Sequence, residues 1–180
     1  MIYIFLADGF EEVEATTPRD ILKRAGISIQ TVGLNQSDTV SSASGLKIIP
    51  DVQIEHINFN DIEGIILPGG MPGTKNLEQN KKVLEIIKYC IENKLLIGAI
   101  CAAPSILGKM GVLKNKAACC YPGFEKYLIG AKISENSVST DKNIITSKGP
   151  GTAFEFGFAV LKYLKGRENA ESIKSSMIYR

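Results

Sequence analysis

Short apolar runs alternate with amphipathic stretches along this chain. Residues 2–7 and 95–100 form continuous apolar runs of strand length, residues 63–67 form a third after the charged Glu63, and residues 27–34 alternate between apolar and polar positions. Continuous runs of this kind are typical of parallel strands that are buried on both faces. The pattern predicts an α/β fold, a three-layer sandwich in which helices cover both faces of a mostly parallel sheet.

Helical spacing follows most of these strands. A helix is predicted over residues 12–25, ended by Gly26, with Pro18 causing a kink or a late start. One long amphipathic helix is predicted between residues 63–67 and residues 95–100. Its inward positions are Leu77, Val83, Leu84, Ile87, Cys90 and Ile91.

Shorter elements complete the prediction. The polar residues 35–44, followed by 46–49, indicate a small accessory hairpin outside the main sheet. A helix from Pro104 is expected to close at residues 110–113, and a last amphipathic helix over 153–164 has Thr152 as its expected N-cap. In addition, residues 117–120 favour a short strand, 138–147 favour two strands about a turn, and the tail from Gly166 favours a surface helix or a frayed end.

Composition narrows the class of protein. The 180 residues are 44% hydrophobic, which suits a single domain over residues 1–180. The net charge of +2 without a basic cluster disfavours nucleic-acid binding, and no apolar run is long enough for a membrane span. Because the apolar start lacks a basic region and runs directly into acidic residues, it predicts a core strand rather than a signal peptide. We therefore expect a cytoplasmic protein.

The four cysteines give no metal or disulfide pattern. Cys90, Cys101, Cys119 and Cys120 show no C-x-x-C spacing, and the single histidine, His56, lies in a polar segment typical of the surface. We expect free thiols, no metal and no cofactor. Cys90 fits core packing. Cys119 and Cys120 also favour core packing, although one of them could approach the site as a resolving thiol.

Cys101 directly follows the apolar run at residues 95–100. The helix starting at Pro104 follows at once, so the chain turns sharply from strand to helix at a thiol, as in the nucleophile elbow of hydrolases. The helix dipole and free N–H groups there would favour thiolate. A free cysteine is more commonly a small buried hydrophobe. The elbow position favours a nucleophile or a redox-sensitive thiol.

Four loops should meet beyond the carboxyl ends of the strands, at residues 8–14, 68–73, 101–104 and 149–152. Gly69 and Gly70 could place backbone N–H groups near an oxyanion, with the Ala102 N–H as a second donor, although alone they favour a tight turn. The acidic residues 11, 12 and 14 suit a solvated helix start. One of them could instead face the thiol, and spacing does not choose which.

These segments together resemble the ThiJ/PfpI superfamily, in the branch of the parkinsonism-associated DJ-one and its bacterial relatives. The match covers nearly the whole chain through residues 8–14, 67–70, 99–104 and 147–156. The resemblance implies a flavodoxin-like sandwich, usually a homodimer. It also implies the site residues: reactive Cys101, protonated Glu14, and the backbone donors Gly69, Gly70 and Ala102, with Tyr121, Gly149 and Pro150 lining the pocket.

The chain departs from the family pattern at three positions. Many relatives have a histidine beside the cysteine where this chain has Tyr121, so proton transfer would fall to Glu14 or to the thiolate itself. The protease branch has a histidine directly after the nucleophile, but here Ala102 follows, which disfavours peptidase activity. Lys148 stands where an arginine is common in the family, before the Gly-Pro-Gly turn. Lysine keeps the positive charge but cannot form the two parallel hydrogen bonds of an arginine side chain.

The family suggests an enzyme of the glyoxalase or deglycase kind. Cys101 would add to a small aldehyde or a glycated substrate, and Glu14 would transfer protons. The alternative is a redox-sensing or stress-protective protein without turnover, in which Cys101 is oxidised to sulfinate. Thiamine-precursor metabolism is less favoured, because no thiazole or phosphate pocket is evident in the sequence.

Overall fold

The computed structural model describes residues 1–34 and 37–179. Its strands are β1 (Ile2–Leu6), β2 (Ile29–Gly33), β3 (Val40–Ser41), β4 (Lys47–Ile48), β5 (Val52–Gln53), β6 (Gly64–Leu67), β7 (Leu96–Ile100), β8 (Ala117–Ala118), β9 (Lys132–Ile133), β10 (Val138–Asp141) and β11 (Ile144–Ser147). Its α-helices are α1 (Glu12–Arg24), α2 (Gly73–Gln79), α3 (Lys81–Glu92), α4 (Pro104–Lys109), α5 (Ala153–Lys165) and α6 (Arg167–Ser176).

A mostly parallel sheet forms the centre of the molecule. Among the described residues its strand order is β10-β11-β7-β6-β1-β2-β5. The pairings are parallel except for β10, which returns antiparallel to β11. Strands β1, β6 and β7 are buried along their whole length, which explains their continuous apolar runs. The predicted α/β class and parallel sheet are confirmed.

Two hydrophobic layers cover the two faces of the sheet. Phe5 of β1 points into the layer that contains the inner face of α3, and its neighbour Ile4 points into the layer under α1 and α5. Helices α1 and α5 approach closely at Gly157, where a Cβ atom would lie 2.6 Å from Ile21 Cδ1. The start of α1 lies at the edge of the sheet where β1 ends, because only residues 7–11 separate the two elements.

The accessory hairpin is confirmed within the described residues, since β3 and β4 pair antiparallel outside the main sheet, while residues 35–36 of the predicted segment lie outside them. The sequence did not predict β5, which pairs with β2 at the edge of the main sheet. A side-chain interaction explains this addition. The Thr31 N–H and hydroxyl both donate to Asp51 Oδ2, at 2.8 and 2.9 Å. Asp51 therefore draws the chain against β2 just before β5 begins.

The prediction of one long helix after β6 was wrong. The structure has α2 and α3, separated at Asn80, whose Oδ1 accepts hydrogen bonds from the N–H groups of Lys82 and Val83 at 3.0 and 3.2 Å. This N-cap starts a new helix in a new direction. Of the expected inward residues, Ile91 is partly exposed because it lies at the end of α3.

Three smaller predictions also changed. α4 ends at Lys109, so residues 110–113 form turns instead of closing a helix. The short strand predicted at 117–120 covers only Ala117–Ala118. Thr152 does not cap α5 through its side chain, because its hydroxyl donates to the Gly149 carbonyl at 2.8 Å. The tail forms the surface helix α6, and within residues 1–34 and 37–179 no helix is long and apolar enough to cross a membrane.

Candidate functional site

Loops that follow β1, β6, β7 and β11 meet at one edge of the sheet, because the carboxyl ends of neighbouring parallel strands lie together. Backbone hydrogen bonds join them. The Glu11 N–H donates to the Gly69 carbonyl at 3.0 Å, and the Cys101 N–H donates to the Ser147 carbonyl at 2.9 Å. The Tyr121 N–H in turn donates to the Cys101 carbonyl at 2.8 Å. The loops thus form one connected platform around Cys101.

Cys101 occupies the elbow between β7 and α4. Its φ of +64° lies in the left-handed region that side chains with a Cβ seldom adopt. Holding a non-glycine residue there costs on the order of 1–3 kcal/mol, and such strain is concentrated at functional sites. The side chain is half-buried, whereas Cys90, Cys119 and Cys120 are buried. The predicted strand-turn-helix therefore presents this one thiol of the four to the outside.

Glu14 is the acidic residue of the α1 start that faces the thiol. Its side chain is completely buried, and the Gly69 N–H donates to its Oε2 at 2.7 Å. Glu12 is engaged elsewhere, accepting a hydrogen bond from the Ser44 hydroxyl on the accessory hairpin, and Glu11 is partly exposed. The choice that spacing left open therefore falls on Glu14.

Gly69 separates the carboxyl from the thiol. A Cβ atom built on Gly69 would lie 2.6 Å from the Cys101 Cβ and 2.7 Å from Glu14 Oε2. No side chain fits into this space, so glycine is required for the close approach of the two groups. Gly70 adopts a φ of +87°, and its Cβ would lie 2.5 Å from the Glu11 nitrogen. Steric crowding therefore requires glycine at both positions.

Burial raises the pKa of Glu14 to about 7, because a carboxylate loses its hydration inside the protein. The Gly69 N–H and the Cys101 side chain oppose this rise by hydrogen bonding. Glu14 Oε1 is buried and has no hydrogen-bond partner among residues 1–34 and 37–179. With a pKa of about 7, Glu14 is therefore divided between its carboxyl and carboxylate forms at neutral pH.

The pKa of Cys101 does not follow the expectation of an easily formed thiolate. Burial and the neighbouring Glu14 together raise the Cys101 pKa to about 12, although the N–H groups of Gly70 and Ala102 act to lower it. The helix contribution is small since α4 has only six residues. Two adjacent negative charges in a buried site repel each other. The pair therefore shares one negative charge and one proton across a wide pH range.

The Tyr121 side chain and the Gly149 loop lie against each other beside the Cys101 elbow. A Cβ atom on buried Gly149 would lie 3.4 Å from the Tyr121 ring, and Pro150 next to it is exposed. The Tyr121 ring is about half exposed, at 46%. Lys148, which replaces the family arginine, donates to the Glu135 carbonyl at 2.6 Å. Its amine is thus bound by the loop after β9.

The other cysteines occupy places that fit core packing. Cys120 belongs to the layer that contains α3, whereas Cys101 borders the opposite layer. The Cys119 thiol donates to the Thr146 carbonyl at 3.3 Å. Burial raises the pKa of both Cys90 and Cys120 to about 12. Neither Cys119 nor Cys120 forms a disulfide with Cys101, and His56 is exposed on a short 3-10 turn.

Sequence reasoning missed residues that hold the site loops. The Ser147 and Thr152 hydroxyls are 2.7 Å apart, and Thr152 Oγ1 accepts from the Gly149 N–H at 3.1 Å, which fixes the Gly149 turn. Gly9 has a φ of +86° and would place a Cβ 2.4 Å from Pro72. The Asp-Gly pair directly after β1 was the available signal for this close packing.

A groove beside the elbow encloses about 680 Å³. It starts at Met71, next to Gly70, and includes Ser105 and the aromatic side chains of Phe124 and Tyr127. Among residues 1–34 and 37–179 no group of three or more His, Cys, Asp or Glu side chains is arranged to hold a metal ion. The chemistry available at this edge is that of a thiol, a carboxyl group and backbone N–H donors.

Comparisons with known proteins show which family this chain resembles. The chain is 35% identical over 181 residues to the Danio rerio Parkinson disease protein 7 homolog, covering 98% of this chain and 96% of the relative. It is 35% identical over 164 residues to the Caenorhabditis elegans glutathione-independent glyoxalase DJR-1.2, covering 91% and 87%. The solved structure of oxidised Toxoplasma gondii DJ-1 superposes with a TM-score of 0.94 at 29% identity, covering 99% and 97%.

The fold and the sequence give the same assignment. The superposition extends over nearly all of both chains, so the flavodoxin-like arrangement expected from the resemblance is confirmed. The family model described as "DJ-1/PfpI family" matches residues 1–163, which include every residue of the site. This chain is a member of the DJ-1/PfpI family.

Proposed function

We propose that this protein is a cysteine-dependent enzyme that acts on small reactive carbonyl compounds, in the manner of a glyoxalase or deglycase. Methylglyoxal is the simplest substrate of this class. The observation that carries the proposal is the placement of Cys101 and Glu14 on either side of Gly69, where no side chain intervenes. A C. elegans relative is named a glutathione-independent glyoxalase, which supports a reaction that uses a protein thiol.

The reaction can be written with its atoms balanced. The Cys101 sulfur adds to the aldehyde carbon of methylglyoxal while the Glu14 carboxylate takes the thiol proton and passes it to the aldehyde oxygen, which gives a hemithioacetal and leaves Glu14 as a carboxylate. The resulting Glu14 carboxylate removes the hydrogen of that carbon as a proton and returns it to the neighbouring carbon through an enediol. The product is a lactoyl thioester. Water hydrolyses it to lactate and restores the thiol.

The surroundings of the pair suit this sequence. A pKa of about 7 lets Glu14 act as acid and as base near neutral pH. The N–H groups of Gly70 and Ala102, which lower the pKa of Cys101, are placed to stabilise negative charge on sulfur or on a nearby oxygen. For a glycated substrate, the same thiol would attack the hemithioacetal or aminocarbinol carbon and release the amine or thiol.

The test is conversion of methylglyoxal to lactate without glutathione. We expect wild type to form lactate, and Cys101→Ser and Glu14→Gln each to lower kcat/KM by at least about 100-fold, the usual size of an acid–base contribution. Glu85→Gln is the control, since it removes an acid from an exposed position of α3, away from both the thiol and Glu14. Equal rates in wild type and Cys101→Ser would refute the proposal.

A redox role is the second candidate, favoured by the unequal exposure of the thiols. Cys101 is half-buried, while the other three cysteines are at most 3% exposed. Two peroxide molecules would oxidise its sulfur to sulfinate in two steps and be reduced to water, and protonated Glu14 would donate a hydrogen bond to the product. One solved relative is the oxidised form of T. gondii DJ-1.

Intact mass after graded peroxide separates the two candidates. Addition of two oxygens confined to Cys101, in a protein that forms no lactate, would favour the redox role. Uniform oxidation of all four thiols would exclude it. Glu14→Gln, which keeps a donor amide, should still allow the sulfinate to form, whereas Glu14→Ala should make the modification less selective.

We further infer a homodimer, which family resemblance implies. Val13 on α1 and Leu46 and Ile49 around the hairpin are exposed apolar side chains. The two elements adjoin, because the Ser44 hydroxyl donates to Glu12. A second copy of the chain would cover this patch. Light scattering should give the dimer mass for wild type and the monomer mass for Ile49→Lys, whereas a monomeric wild type would contradict the inference.

A further inference from the structure

A second groove lies at the opposite edge of the sheet from Cys101. It encloses about 560 Å³ and is formed by the end of α3, the turn between β10 and β11, the segment after α4 and the outer face of α5. Lys94 directly precedes the chain entering β7, and Cys101 follows the end of that strand. Five strand residues span roughly 16 Å, so the groove and the thiol are distinct sites.

Three lysines line this groove and no acidic side chain does. They are Lys94, Lys116 and Lys142. Among the described residues none of them takes part in an ion pair. The nearest acid along the chain, Asp141, is held by the Ala117 N–H at 3.0 Å. Because three lysines line this concave surface and no acidic side chain does, it carries a positive potential that attracts an anion.

Two of these lysines occupy bends that favour glycine or asparagine. Lys94 has a φ of +55° at the end of α3, and Lys142 has a φ of +56° in the turn between β10 and β11. A left-handed residue with a Cβ costs stability, so a glycine would fit either bend with less strain. The chain keeps a cation at both positions. The strained backbone at Lys94 and Lys142 therefore supports, independently of the groove's shape, a binding role for their side chains.

Apart from Asn143, the rest of the lining is apolar. Ile91, Val112 and Tyr163 line the groove, and Ile91 and Tyr163 are among the exposed large hydrophobic residues of the protein. Exposed apolar side chains beside polar ones mark a ligand or interaction surface. The Asn143 amide donates to the Leu95 carbonyl at 2.7 Å and ties the two lysine-bearing bends together. A volume of this size matches sites for small organic molecules.

We propose that this groove binds a small amphipathic organic anion, with its carboxylate, sulfonate or phosphate among Lys94, Lys116 and Lys142 and its apolar body against Ile91 and Tyr163. The site does not depend on turnover at Cys101. Its ligand differs from the proposed substrate in charge and in hydrophobic content.

The experiment uses 8-anilinonaphthalene-1-sulfonate as the amphipathic anion and N-phenyl-1-naphthylamine as its uncharged counterpart, with octanoate and octanol as competitors. Native protein should bind the sulfonate saturably at one site, the uncharged probe at least tenfold more weakly, and octanoate should displace the sulfonate far better than octanol. Protein alkylated at Cys101 should bind unchanged, which separates this result from the proposed enzymatic function.

Variants locate the site. Lys116→Glu with Lys142→Glu should weaken binding at least tenfold, and the same positions changed to Gln should weaken it by an intermediate factor. The matched control, Lys81→Glu with Lys88→Glu on the exposed face of α3, makes the same change in net charge and should leave binding within twofold. Equal weakening in both pairs, equal binding of the two probes, or loss of binding on alkylation would each overturn the proposal. Melting temperatures identify a variant that fails to fold, and the Gln pair then decides.

Discussion

The Gly69 nitrogen lies 2.7 Å from Glu14 Oε2, although 55 residues separate them in the chain. This hydrogen bond joins the turn after β6 to the first helix and fixes the carboxyl next to the Cys101 elbow. The same glycine has no room for a side chain on the face toward Cys101. One residue thus sets both the orientation of the acid and the distance between acid and thiol.

Gly69→Ala should therefore damage the site more than the fold. The added methyl group would lie 2.6 Å from the Cys101 Cβ, so the elbow or α1 must shift. We expect a loss of about 1–3 kcal/mol in the free energy of unfolding, the usual cost of overpacking, and a fall in activity of roughly 100-fold from the displaced acid. Urea unfolding and lactate formation measure the two effects.

Gly151→Ala is the control, because a Cβ at Gly151 would have no atom within 4 Å. It should leave both the stability and the activity close to wild type. If Gly69→Ala kept full activity, the close approach through Gly69 would not matter for function.

The buried Glu14 carboxyl should make stability depend on pH. Its pKa is about 7 in the folded protein against an ordinary value of 4.5, so the folded state binds the proton more tightly. The stabilisation from the proton is complete below about pH 4.5 and is lost as pH rises through about 7. The loss should amount to about 3 kcal/mol, since one pKa unit corresponds to ~1.4 kcal/mol.

Urea unfolding of wild type and Glu14→Gln between pH 4.5 and 8.5 measures this term. The variant carries no titrating group at this position, so the difference in unfolding free energy between the two proteins should change with pH in the stated direction. A constant difference would show that Glu14 has an ordinary pKa in the folded protein.

Removing the Glu14 charge should separate thiol ionisation from catalysis. Burial and the Glu14 charge both raise the pKa of Cys101, and Glu14→Gln leaves only the burial. The midpoint of iodoacetamide alkylation at Cys101 should therefore move to lower pH in the variant. Turnover should nevertheless fall about 10²–10⁴-fold, because the proton carrier is lost. Overlapping alkylation profiles, or retained turnover, would contradict this account.

Asn80→Ala tests the helix start that the sequence pattern did not reveal. The Asn80 side chain accepts two backbone N–H groups of α3, and loss of an N-cap costs about 1 kcal/mol. Because α3 packs behind the sheet, activity at 25 °C should stay unchanged. Asn136→Ala, at an exposed loop position, is the control and should leave the unfolding free energy within about 0.5 kcal/mol of wild type.

The elements that depend on local pattern were predictable. β1, β6 and β7 are buried on both faces, so their apolar runs identify them, and the change of period after Cys101 identifies the elbow. The division between α2 and α3 at Asn80 could not be predicted, because the hydrophobic spacing continues across it and only the N-cap marks the break. β5 was missed since its two residues are fixed by Asp51 and Thr31, which are distant in sequence from each other.

The identity of the acid could not come from spacing alone. Residues 11, 12 and 14 occupy three directions around the start of α1, and the one that faces the thiol depends on how α1 packs. That packing is set by contact with α5 at Gly157, which lies far along the chain. The ionisation of Cys101 also depends on tertiary structure, because burial and the Glu14 charge outweigh the short α4 helix.

Tyr121→His tests whether the histidine of many relatives would activate this thiol. The Tyr121 N–H is bonded to the Cys101 carbonyl, so a side chain here starts beside the elbow, and its half-exposed ring leaves room for an imidazole. An imidazolium near the sulfur stabilises thiolate and lowers the thiol pKa. Alkylation of Cys101 at pH 6–7 should become faster by about tenfold and acquire a dependence on a group with a pKa near 6.5.

Tyr121→Phe is the matched control, since it keeps the ring against the Gly149 loop but carries no ionisable group. It should leave the alkylation profile unchanged. If Tyr121→His and Tyr121→Phe behave alike, position 121 does not face the sulfur, and Glu14 with the backbone donors would be the complete set of groups acting on the thiol. If only the histidine variant responds, position 121 faces the sulfur, and a histidine there can act on the thiol where the native Tyr121 does not.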